Sequence, residues 1–317
     1  MSGVRTHARR LGALIMLLVA TLCLAGCGSS SDPTRTGPLP GTDRPPVTIG
    51  DKNVPEQFVL GELYDLALTA QGYSVTLNPN IGPTAVSFQA LNSGRLDMYP
   101  EYVDVWNTFV AGYQHGFPTE HAAVAAARAF ARTHGLVLLR PTPFSDTNAV
   151  AVTRAYGLAH GLNAIGDLRQ VSAELNFGAP TQFQYSSVGL NPIERAYGFT
   201  PRTVTTLNTG AQYQALSTGA VQAAWMTTTD GELAGNTFRM LRDPQHVVGF
   251  GNALPVVPAK VLAAEGPDFR LTINRVTRLL TLKAIRRLNA DVELYNEMPA
   301  VVAKQFLQAH GLVPRGS

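Results

Sequence analysis

The sequence is poor in charge and in cysteine. Only 15% of its residues are Asp, Glu, Lys or Arg, and its two cysteines cannot build a disulfide scaffold. Hydrophobic residues make up 45% of the chain and the mean hydropathy is +0.03, which excludes a disordered or collagen-like protein. With 317 residues, the chain is long enough for two domains with cores of their own.

Motifs for common catalytic and metal-binding chemistry are missing as well. The sequence has no phosphate-binding loop, no dinucleotide fingerprint and no zinc-protease motif, and its seven histidines lack metal-ligand spacing. Ser187 lacks the first glycine of a nucleophile elbow. No basic patch is interleaved with aromatic residues, so we expect no nucleic-acid partner. We therefore expect no enzyme, no catalytic residue, no metal and no cofactor.

The basic character of the chain, with a pI of about 8.9, comes from its two ends. Residues 1–26 hold three arginines, no acid and a short apolar run, which is the pattern of an export signal and too short for a membrane span. The segment Leu24-Ala25-Gly26-Cys27 resembles a bacterial lipobox, which predicts Cys27 as a lipid-bearing N-terminus. The alternative is an ordinary signal peptide with an incidental cysteine.

Two further segments are set apart from the fold. Residues 27–46 contain the predicted lipid site and a Gly/Ser/Pro-rich stretch, which predicts a flexible tether. Residues 312–317 match a thrombin-cleavage linker of the kind added to recombinant proteins. Without residues 1–26 and 312–317, 21 basic residues stand against 22 acidic ones, so the body of the protein is nearly neutral.

The body alternates short β-rich runs with helical periodicity, which predicts βαβ units and mainly parallel sheets. The predicted strands are 47–49, 73–77, 137–139, 150–153, 174–178 and 204–207. The predicted helices are 54–71, 84–91, 120–134, 191–197, 268–290 and 291–310.

One internal repeat suggests two lobes of related build. Residues 84–94 and 209–219 share Thr, Gln-Ala-Leu and a final Gly at matching positions, 125 residues apart. Each copy predicts a helix stopped by glycine and followed by a strand. Convergence of two amphipathic helices is the plainer explanation, but the same following element favours related lobes.

Three blocks carry a specific resemblance. They are Ile49-Gly-Asp-Lys-Asn-Val-Pro-Glu-Gln57, Leu91-Asn-Ser-Gly-Arg-Leu-Asp-Met-Tyr-Pro-Glu-Tyr102 and Phe144-Ser-Asp-Thr-Asn-Ala-Val150. With shorter matches up to residue 257, they are similar to the ProX/OpuC-type receptors of ABC importers that bind glycine betaine, carnitine and choline.

The resemblance implies a two-lobed, type II periplasmic-binding-protein-like α/β fold with the ligand cleft between the lobes. Each lobe is expected to hold a mixed, mainly parallel sheet flanked by helices. Lobe 1 is expected to comprise residues 47–147 and 252–311, and lobe 2 residues 148–251. The chain is expected to cross between lobes near 148–152 and 249–256.

The family binds a quaternary ammonium group through aromatic faces, at roughly 0.5–2 kcal/mol for each cation–π contact. By resemblance, Tyr102 takes one cage position, and Lys52, Gln57 and Thr84 are polar ligand contacts. A packed tyrosine and a solvated lysine are the alternatives for Tyr102 and Lys52.

Other positions depart from the family. Three expected cage tyrosines are replaced by Asn148, Thr227 and Gly251, the last of which is expected to leave space for a larger solute. The loop 181–189 lacks the arginine that relatives offer to a carboxylate. The remaining predicted ligand contacts are Gln182, Tyr185, Ser186, Thr228, Asp230 and Phe250. Trp106, Phe144, Tyr185, Trp225 and Phe250 are the aromatic residues from which a shifted cage would be built, if they are not core or rim residues.

These departures predict that glycine betaine binds weakly or not at all, and that the ligand is a hydroxyl-rich or larger, partly aromatic compound such as a phenolic. The leading function is a monomeric, lipid-anchored solute receptor on the outer face of a bacterial cell membrane. It would deliver its solute to an ABC permease with a cytoplasmic ATPase. Asp104 and Glu232 are expected as exposed acids, for which solvation is the ordinary role and permease docking the alternative.

Two other functions stay open. A ligand-sensing lipoprotein on the same scaffold would bind a solute without transporting it. A cleft enzyme is the third, with Asp97, Glu101 and Asp230 as its candidate carboxylates.

Overall fold

The computed structural model describes residues 37–315; the predicted export signal and Cys27 lie outside them. In chain order, the strands are β1 (Val47–Gly50), β2 (Val75–Asn78), β3 (Tyr99–Tyr102), β4 (Leu136–Leu138), β5 (Asn148–Thr153), β6 (Asn176–Ala179), β7 (Thr203–Thr206), β8 (Ala223–Thr227), β9 (Phe238–Met240) and β10 (Ala253–Pro258). The α-helices are α1 (Pro55–Thr69), α2 (Thr84–Asn92), α3 (Val103–Val105), α4 (Glu120–Thr133), α5 (Arg154–Ala159), α6 (Thr181–Tyr185), α7 (Leu190–Tyr197), α8 (Ala211–Ser217), α9 (Ala259–Glu265), α10 (Pro267–Leu279), α11 (Leu282–Glu293) and α12 (Pro299–Ala309). A π-helical turn follows α3 (Trp106–Val110), and 3₁₀ turns span Ile165–Val171 and Gly231–Ala234.

The strands form two groups, which we call lobe 1 and lobe 2. In lobe 1, β1 pairs parallel with β2, and β10 lies between β3 and β4 and runs antiparallel to both. A parallel bridge from Ile49 to Met98 joins the two sets. In lobe 2, the strand order is β7-β6-β8-β5-β9. Strand β6 runs parallel to both β7 and β8, whereas β5 runs antiparallel to both β8 and β9.

The α/β class with mixed sheets is confirmed, and the parallel share is smaller than expected. The antiparallel pairings all involve β5 and β10, the strands that enter each lobe after the chain has crossed from the other. Such a strand is not tied to the parallel direction that a helical βαβ crossover imposes. Each lobe has a separate apolar core, with α1, α10, α11 and α12 packed over the core of lobe 1.

The internal repeat corresponds to equivalent structure in the two lobes. Helices α2 and α8 are each followed by a glycine with positive φ, 75° at Gly94 and 77° at Gly219, and then by a strand, β3 or β8. In each copy the glycine N–H bonds back to a carbonyl of the last helical turn, at Leu91 and Leu216. The positive φ explains why both stops are glycine.

The predicted helix 268–290 is wrong as one element. It divides into α10 and α11, because Leu280 leaves the helical conformation with ψ 71° and the Thr281 side chain caps α11 by accepting from Ala284 N–H. The next predicted helix also starts late. The first residues of the predicted helix 291–310 belong to the end of α11, which extends to Glu293. Helix α12 begins at Pro299, and proline suits the first helical position.

Part of the predicted tether is packed against lobe 1. Gly41 N–H donates to the carbonyl of Gln71, and the Arg44 guanidinium donates to the carbonyl of Ala264 at 3.0 Å. An added Cβ at Gly41 would lie 2.2 Å from the backbone nitrogen of Tyr73. Residues 41–44 of the predicted tether are therefore held to lobe 1 by hydrogen bonds. Among residues 37–315, no helix is long and apolar enough to cross a membrane.

Candidate functional site

The two crossings between the lobes touch each other and one strand end of lobe 2. The Asp146 N–H donates to Gly251 O at 2.9 Å, and Gly251 N–H donates to Ser145 Oγ at 2.8 Å. An added Cβ at Gly251 would lie 1.8 Å from Asp146 O. The expectation that Gly251 leaves space for a solute is therefore wrong, because the glycine allows two backbone segments to approach.

Thr228 lies in the same junction. Its Oγ donates to Ser145 O at 2.5 Å and accepts from Thr147 N–H at 3.0 Å, and its carbonyl accepts from the Arg286 guanidinium at 2.8 Å. The hydroxyl of this predicted ligand contact thus joins the crossing to the end of β8. Its partners therefore place it inside the junction between the lobes.

Lys52, Thr84 and Tyr102, predicted from separate motifs, lie together in lobe 1. The Lys52 ammonium pairs with the fully buried Glu101 carboxylate, lies 3.4 Å from Thr84 Oγ and is 4.8 Å from the centre of the Tyr102 ring. The loop after β1, the start of α2 and the end of β3 bring them to one sheet edge. The sequence did not indicate that Glu101 would neutralise Lys52.

A buried hydrogen-bond chain leads from Tyr102 to lobe 2. The Tyr102 hydroxyl donates to Glu56 Oε1 at 2.7 Å, and the Asn289 amide donates to Glu56 Oε2 and to Thr229 O, each at 2.9 Å. Burial raises the pKa of Glu56 and, together with the neighbouring Glu56, raises the pKa of Asp146 well above its usual value. Two acids that resist ionisation therefore lie where α1 and α11 meet the lobe junction.

Gln57 is fully buried on α1, and neither end of its amide has a hydrogen-bond partner among the described residues. It lies beside Tyr102, so the four ligand contacts predicted for lobe 1 are close in space. They lie beneath the lobe surface, since Lys52 is 8% exposed and Tyr102 is 7% exposed.

Both ends of the Asn148 side-chain amide are hydrogen-bonded within lobe 2. Its Oδ1 accepts from the indole Nε1 of Trp225 at 2.8 Å, and its Nδ2 donates to Val188 O at 3.3 Å. Thr227 is similarly engaged, because its hydroxyl donates to Asp230 Oδ1 at 2.6 Å. These polar side chains are therefore hydrogen-bonded within lobe 2. Asn148 also lines a second, smaller cavity of about 260 Å³, together with Thr228 and Phe250.

A cavity of about 430 Å³ lies between the lobes, within the size range of small-molecule sites. Lobe 1 contributes residues of the α3 region and of the loop before α4, and lobe 2 contributes two loops. The lining residues are Asp104, Val105, Asn107, Thr108, Phe109, Tyr113, Gln114, His115, Gly116, Phe117, Ala123, Ser186, Ser187, Val188, Val248, Gly249 and Phe250. Of the predicted contacts, Ser186 and Phe250 are in this lining.

Three rings of this lining form a cluster that sequence reasoning missed. The centroids of Tyr113 and Phe117 are 5.4 Å apart, those of Tyr113 and His115 are 5.6 Å apart, and those of His115 and Phe117 are 5.1 Å apart. They follow Gly112, whose φ of 75° turns the chain out of the π-helical segment. The signal in the sequence was an aromatic ring at every second position from 113 to 117. Phe250 adds a ring to the lining from lobe 2.

The aromatic residues named as a shifted cage are mostly elsewhere. Trp106 is fully buried between Phe88 and Phe130, and Phe144 is fully buried in the core of lobe 1. Tyr185 is 74% exposed on α6, near the exposed Gln182. Trp106 and Phe144 are therefore core residues, and Tyr185 is a surface residue, as is Gln182. Trp225, the fourth cage candidate, is hydrogen-bonded to Asn148.

Asp104, expected on the surface, lines the cavity instead. Its Oδ1 accepts from the Val105 N–H at 2.8 Å. Burial is the main cause that raises its pKa to about 7, and the nearby Glu101 adds to the rise while Lys52 opposes it. A carboxyl group in this environment favours a cationic neighbour.

The three carboxylates named for a cleft enzyme have separate partners. Asp97 Oδ2 accepts from Thr48 N–H at 2.9 Å, Glu101 pairs with Lys52, and Asp230 accepts from Tyr213 and Thr227. Pro100, which stands between Asp97 and Glu101 in the chain, lies inside β3 opposite Pro255. Within residues 37–315, no three His, Cys, Asp or Glu side chains are grouped as metal ligands.

This arrangement of two mixed α/β lobes around a small cavity agrees with the match to a family model. Residues 45–309 match the family described as the substrate-binding domain of ABC-type glycine betaine transport systems. The chain belongs to this family. Its members are solute-binding proteins, and they work with ABC permeases.

Curated relatives match over nearly the whole chain. A glycine-betaine-binding protein of Pseudomonas aeruginosa (strain PAO1) is 29% identical over 312 residues, covering 94% of this chain and 96% of the relative. The glycine betaine-binding protein YehZ of Escherichia coli (strain K12) is 27% identical over 301 residues, covering 86% and 93%.

A solved structure supports the fold. The crystal structure of a glycine betaine/carnitine/choline ABC transporter protein superimposes with a TM-score of 0.79, covering 84% of this chain and 99% of that one. At 24% identity, this likeness bears on the fold alone. It agrees with the expected type II binding-protein fold.

Proposed function

We propose that this protein is the extracytoplasmic receptor of an ABC importer, which captures a small organic solute between its lobes and delivers it to a permease with a cytoplasmic ATPase. The observation that carries the proposal is the cavity of about 430 Å³, to which both lobes contribute. A solute held there would contact Tyr113 and Phe117 on one side and Ser186 and Phe250 on the other. Contacts made with both lobes at once favour the closed arrangement and shift the population toward it.

The solute class that the cavity supports best is an organic amine of the quaternary-ammonium type. Such a group has no N–H to donate and is attracted to aromatic faces. The hydroxyl-rich ligand expected from Asn148, Thr227 and Thr228 has less support, because their polar groups are used within the protein. A phenolic solute would also fit among aromatic rings, and it remains the alternative ligand.

We further propose that Cys27 carries a lipid that anchors the protein to the outer face of a bacterial cell membrane, and that the receptor is a monomer. The export pattern and the Leu24–Cys27 motif support the anchor. The boundaries of the two lobes, at 147/148 and 251/252, also stay predictions. Labelling of cells with a radioactive fatty acid should mark the wild-type protein and leave the Cys27→Ala variant unlabelled.

A thermal-shift screen of the purified protein against betaines, choline, carnitine, polyols and phenolic compounds tests the function. We expect a rise in the melting temperature with at least one quaternary amine, because a ligand that binds only the native state stabilises it. No shift with any member of the panel would contradict a receptor for these classes. Uptake of the same solute, lost on deletion of the permease, would separate transport from sensing.

A further inference from the structure

A surface pocket on lobe 1, apart from the inter-lobe cavity, is lined by three arginines. Its volume is about 400 Å³, and none of its lining residues also lines the cavity between the lobes. Three arginines and a single acid give this lining a strong excess of positive charge, although the body of the protein is nearly neutral. The lining residues are Glu120, Arg128, Arg140, Pro141, Thr142, Pro143 and Arg278.

Hydrogen bonds bring the three arginines to one place from separate parts of the chain. The Arg128 guanidinium on α4 donates to the carbonyl oxygens of residues 138 and 139, at 3.2 Å and 2.7 Å. The next residue, Arg140, donates its backbone N–H to Asn274 Oδ1 on α10 at 3.1 Å. Arg278 lies one helical turn beyond Asn274, and residues four apart share a helix face. The three side chains therefore start from neighbouring points around the pocket.

The three guanidinium groups have no acidic partner. Neither of the ion pairs found within residues 37–315 involves them, and Glu120 is paired with none of them. Arg140 and Arg278 are exposed. Arg128 is half-buried, and burial, with a smaller contribution from Arg132, lowers the pKa of its guanidinium. Both causes disfavour the positive charge of Arg128, and an anion bound beside it would offset them.

The rest of the lining offers few polar groups to a ligand. The Thr142 hydroxyl donates to Phe144 O at 2.8 Å and accepts from Ala253 N–H at 3.0 Å, so it is used inside lobe 1. Pro141 and Pro143 have no N–H to donate, and their fixed φ keeps the segment between them stiff. Recognition in this pocket therefore depends on the guanidinium groups.

We propose that this arginine pocket is a binding site for a phosphate group, carried by a free anion or by the headgroup of an anionic lipid. The planar guanidinium fork matches two oxygens of a phosphate, and a tetrahedral oxoanion presents enough oxygens for three such groups. A monocarboxylate presents only two. The inference goes beyond the proposed receptor function, because the two linings share no residue.

Isothermal titration calorimetry with inorganic phosphate tests the site in the purified protein, at pH 8 and low salt. Arg140→Gln/Arg278→Gln should weaken phosphate binding by about tenfold or more, since it removes two of the three charges. Because both side chains are exposed, the melting temperature without phosphate should stay the same. Arg128 is left in place, since its hydrogen bonds hold the backbone after β4.

A matched control removes the same charge from lobe 2. Arg154→Gln/Arg202→Gln replaces two exposed arginines there and should leave phosphate affinity unchanged. An equal loss of affinity in both double variants would indicate general attraction by the net charge and would overturn the proposal. Acetate that binds the wild type as tightly as phosphate would also overturn it.

Glu120 provides a change of the opposite sign. It is the only acidic residue of the lining, so Glu120→Gln removes a repulsion and should tighten phosphate binding by about two- to fivefold. Asp268→Asn is its control, because it removes an exposed carboxylate from the first turn of α10 and should leave the affinity unchanged. An unchanged or weaker affinity in Glu120→Gln would contradict an anion bound in this pocket.

Vesicle flotation separates the two sources of the phosphate group. If a lipid headgroup is the ligand, the unlipidated Cys27→Ala variant should float with phosphatidylglycerol vesicles and not with phosphatidylcholine vesicles. Adding Arg140→Gln/Arg278→Gln should then abolish flotation. Binding of inorganic phosphate without flotation identifies a free anion as the ligand. If phosphate does not bind and flotation does not depend on these arginines, the proposal is overturned, while the receptor function proposed for the inter-lobe cavity stands.

Discussion

The indole nitrogen of Trp225 donates a hydrogen bond of 2.8 Å to Oδ1 of Asn148, a residue 77 positions earlier in the chain. The other end of the same amide donates to Val188 O, in a loop that lines the inter-lobe cavity. Asn148 stands where relatives were expected to carry a cage tyrosine. In this protein it fixes the position of a cavity loop and gives the tryptophan its partner.

Replacing Asn148 with alanine should therefore lower stability. The change leaves the Trp225 N–H and the Val188 carbonyl without their partner, at a cost of about 1–3 kcal/mol in the free energy of unfolding. Urea denaturation with an unchanged m-value measures it, and the exposed Asn92→Ala is the control, expected to change stability by under about 0.5 kcal/mol. A loss of ligand affinity without a loss of stability would instead identify Asn148 as a ligand contact.

The pair formed by Lys52 and Glu101 leads to a second prediction. Both side chains are buried, with relative side-chain exposures of 10% and 0%. Lys52→Met leaves the Glu101 carboxylate buried and unpaired, so the free energy of unfolding should fall by about 3–5 kcal/mol. The double variant Lys52→Met/Glu101→Gln should recover much of this loss, since no buried charge then remains unpaired.

The exposed pair between Arg287 and Asp291 on α11 is the control for this experiment. The Arg287 side chain is 66% exposed, and its replacement by methionine should cost no more than about 1 kcal/mol. Chemical denaturation of the three variants and the wild type makes the comparison. If Lys52→Met retained full stability and lost only ligand affinity, Lys52 would be a ligand contact as the family resemblance implies.

Gly251 gives a third prediction. A methyl group at this position would collide with Asp146 O, because the two crossings lie against each other there. Gly251→Ala should destabilise the protein by about 1–3 kcal/mol or more through overpacking. Gly235→Ala is the matched control, since its added Cβ would be 3.8 Å from the nearest atom, Glu232 O. Equal melting temperatures for the two variants would contradict the close approach.

The sequence predicted those parts of the fold that depend on local patterns. The repeat ending at Gly94 and Gly219 predicted a matching helix, stop and strand in each half, and the structure contains both. The helix break at Leu280 and Thr281 was missed, because apolar periodicity continues across it while the local cap decides the boundary.

The candidate site was predictable only in part, for a physical reason. Family motifs placed Lys52, Thr84 and Tyr102 together, and they lie together. Whether a polar side chain is free to meet a ligand depends on partners distant in sequence, such as Glu101 for Lys52 and Trp225 for Asn148. Periodicity and spacing contain no information on such pairs.

Asp51 gives a prediction for stability against pH. This carboxyl is fully buried after β1; its Oδ1 accepts from Asn80 N–H at 2.6 Å, and its Oδ2 has no partner among the described residues. Burial raises its pKa from 3.8 to about 6, with a smaller contribution from Glu62. The folded state thus holds a proton that the unfolded state releases between about pH 4 and pH 6.

The sign follows from this difference in proton binding. Stability contributed by protonated Asp51 is fully present below pH 3.8 and is lost as the pH rises through about 6. Asp51→Asn removes the cost of burying a carboxylate, so the variant should gain stability relative to the wild type as the pH rises from 4.5 to 8. The relative gain should be roughly 3 kcal/mol at most, from a pKa shift of about two units.

Urea denaturation of wild type and Asp51→Asn at pH 4.5, 6 and 8 measures this gain. The variant keeps an oxygen to accept from Asn80, and the effect of its amide N–H groups at the Oδ2 position is the same at every pH. Asp268→Asn again serves as the control, because it removes a carboxylate from the surface, and its stability difference from the wild type should vary little over the same range. A difference for Asp51→Asn that stays constant from pH 4.5 to 8 would show that the buried carboxyl does not change its protonation on folding.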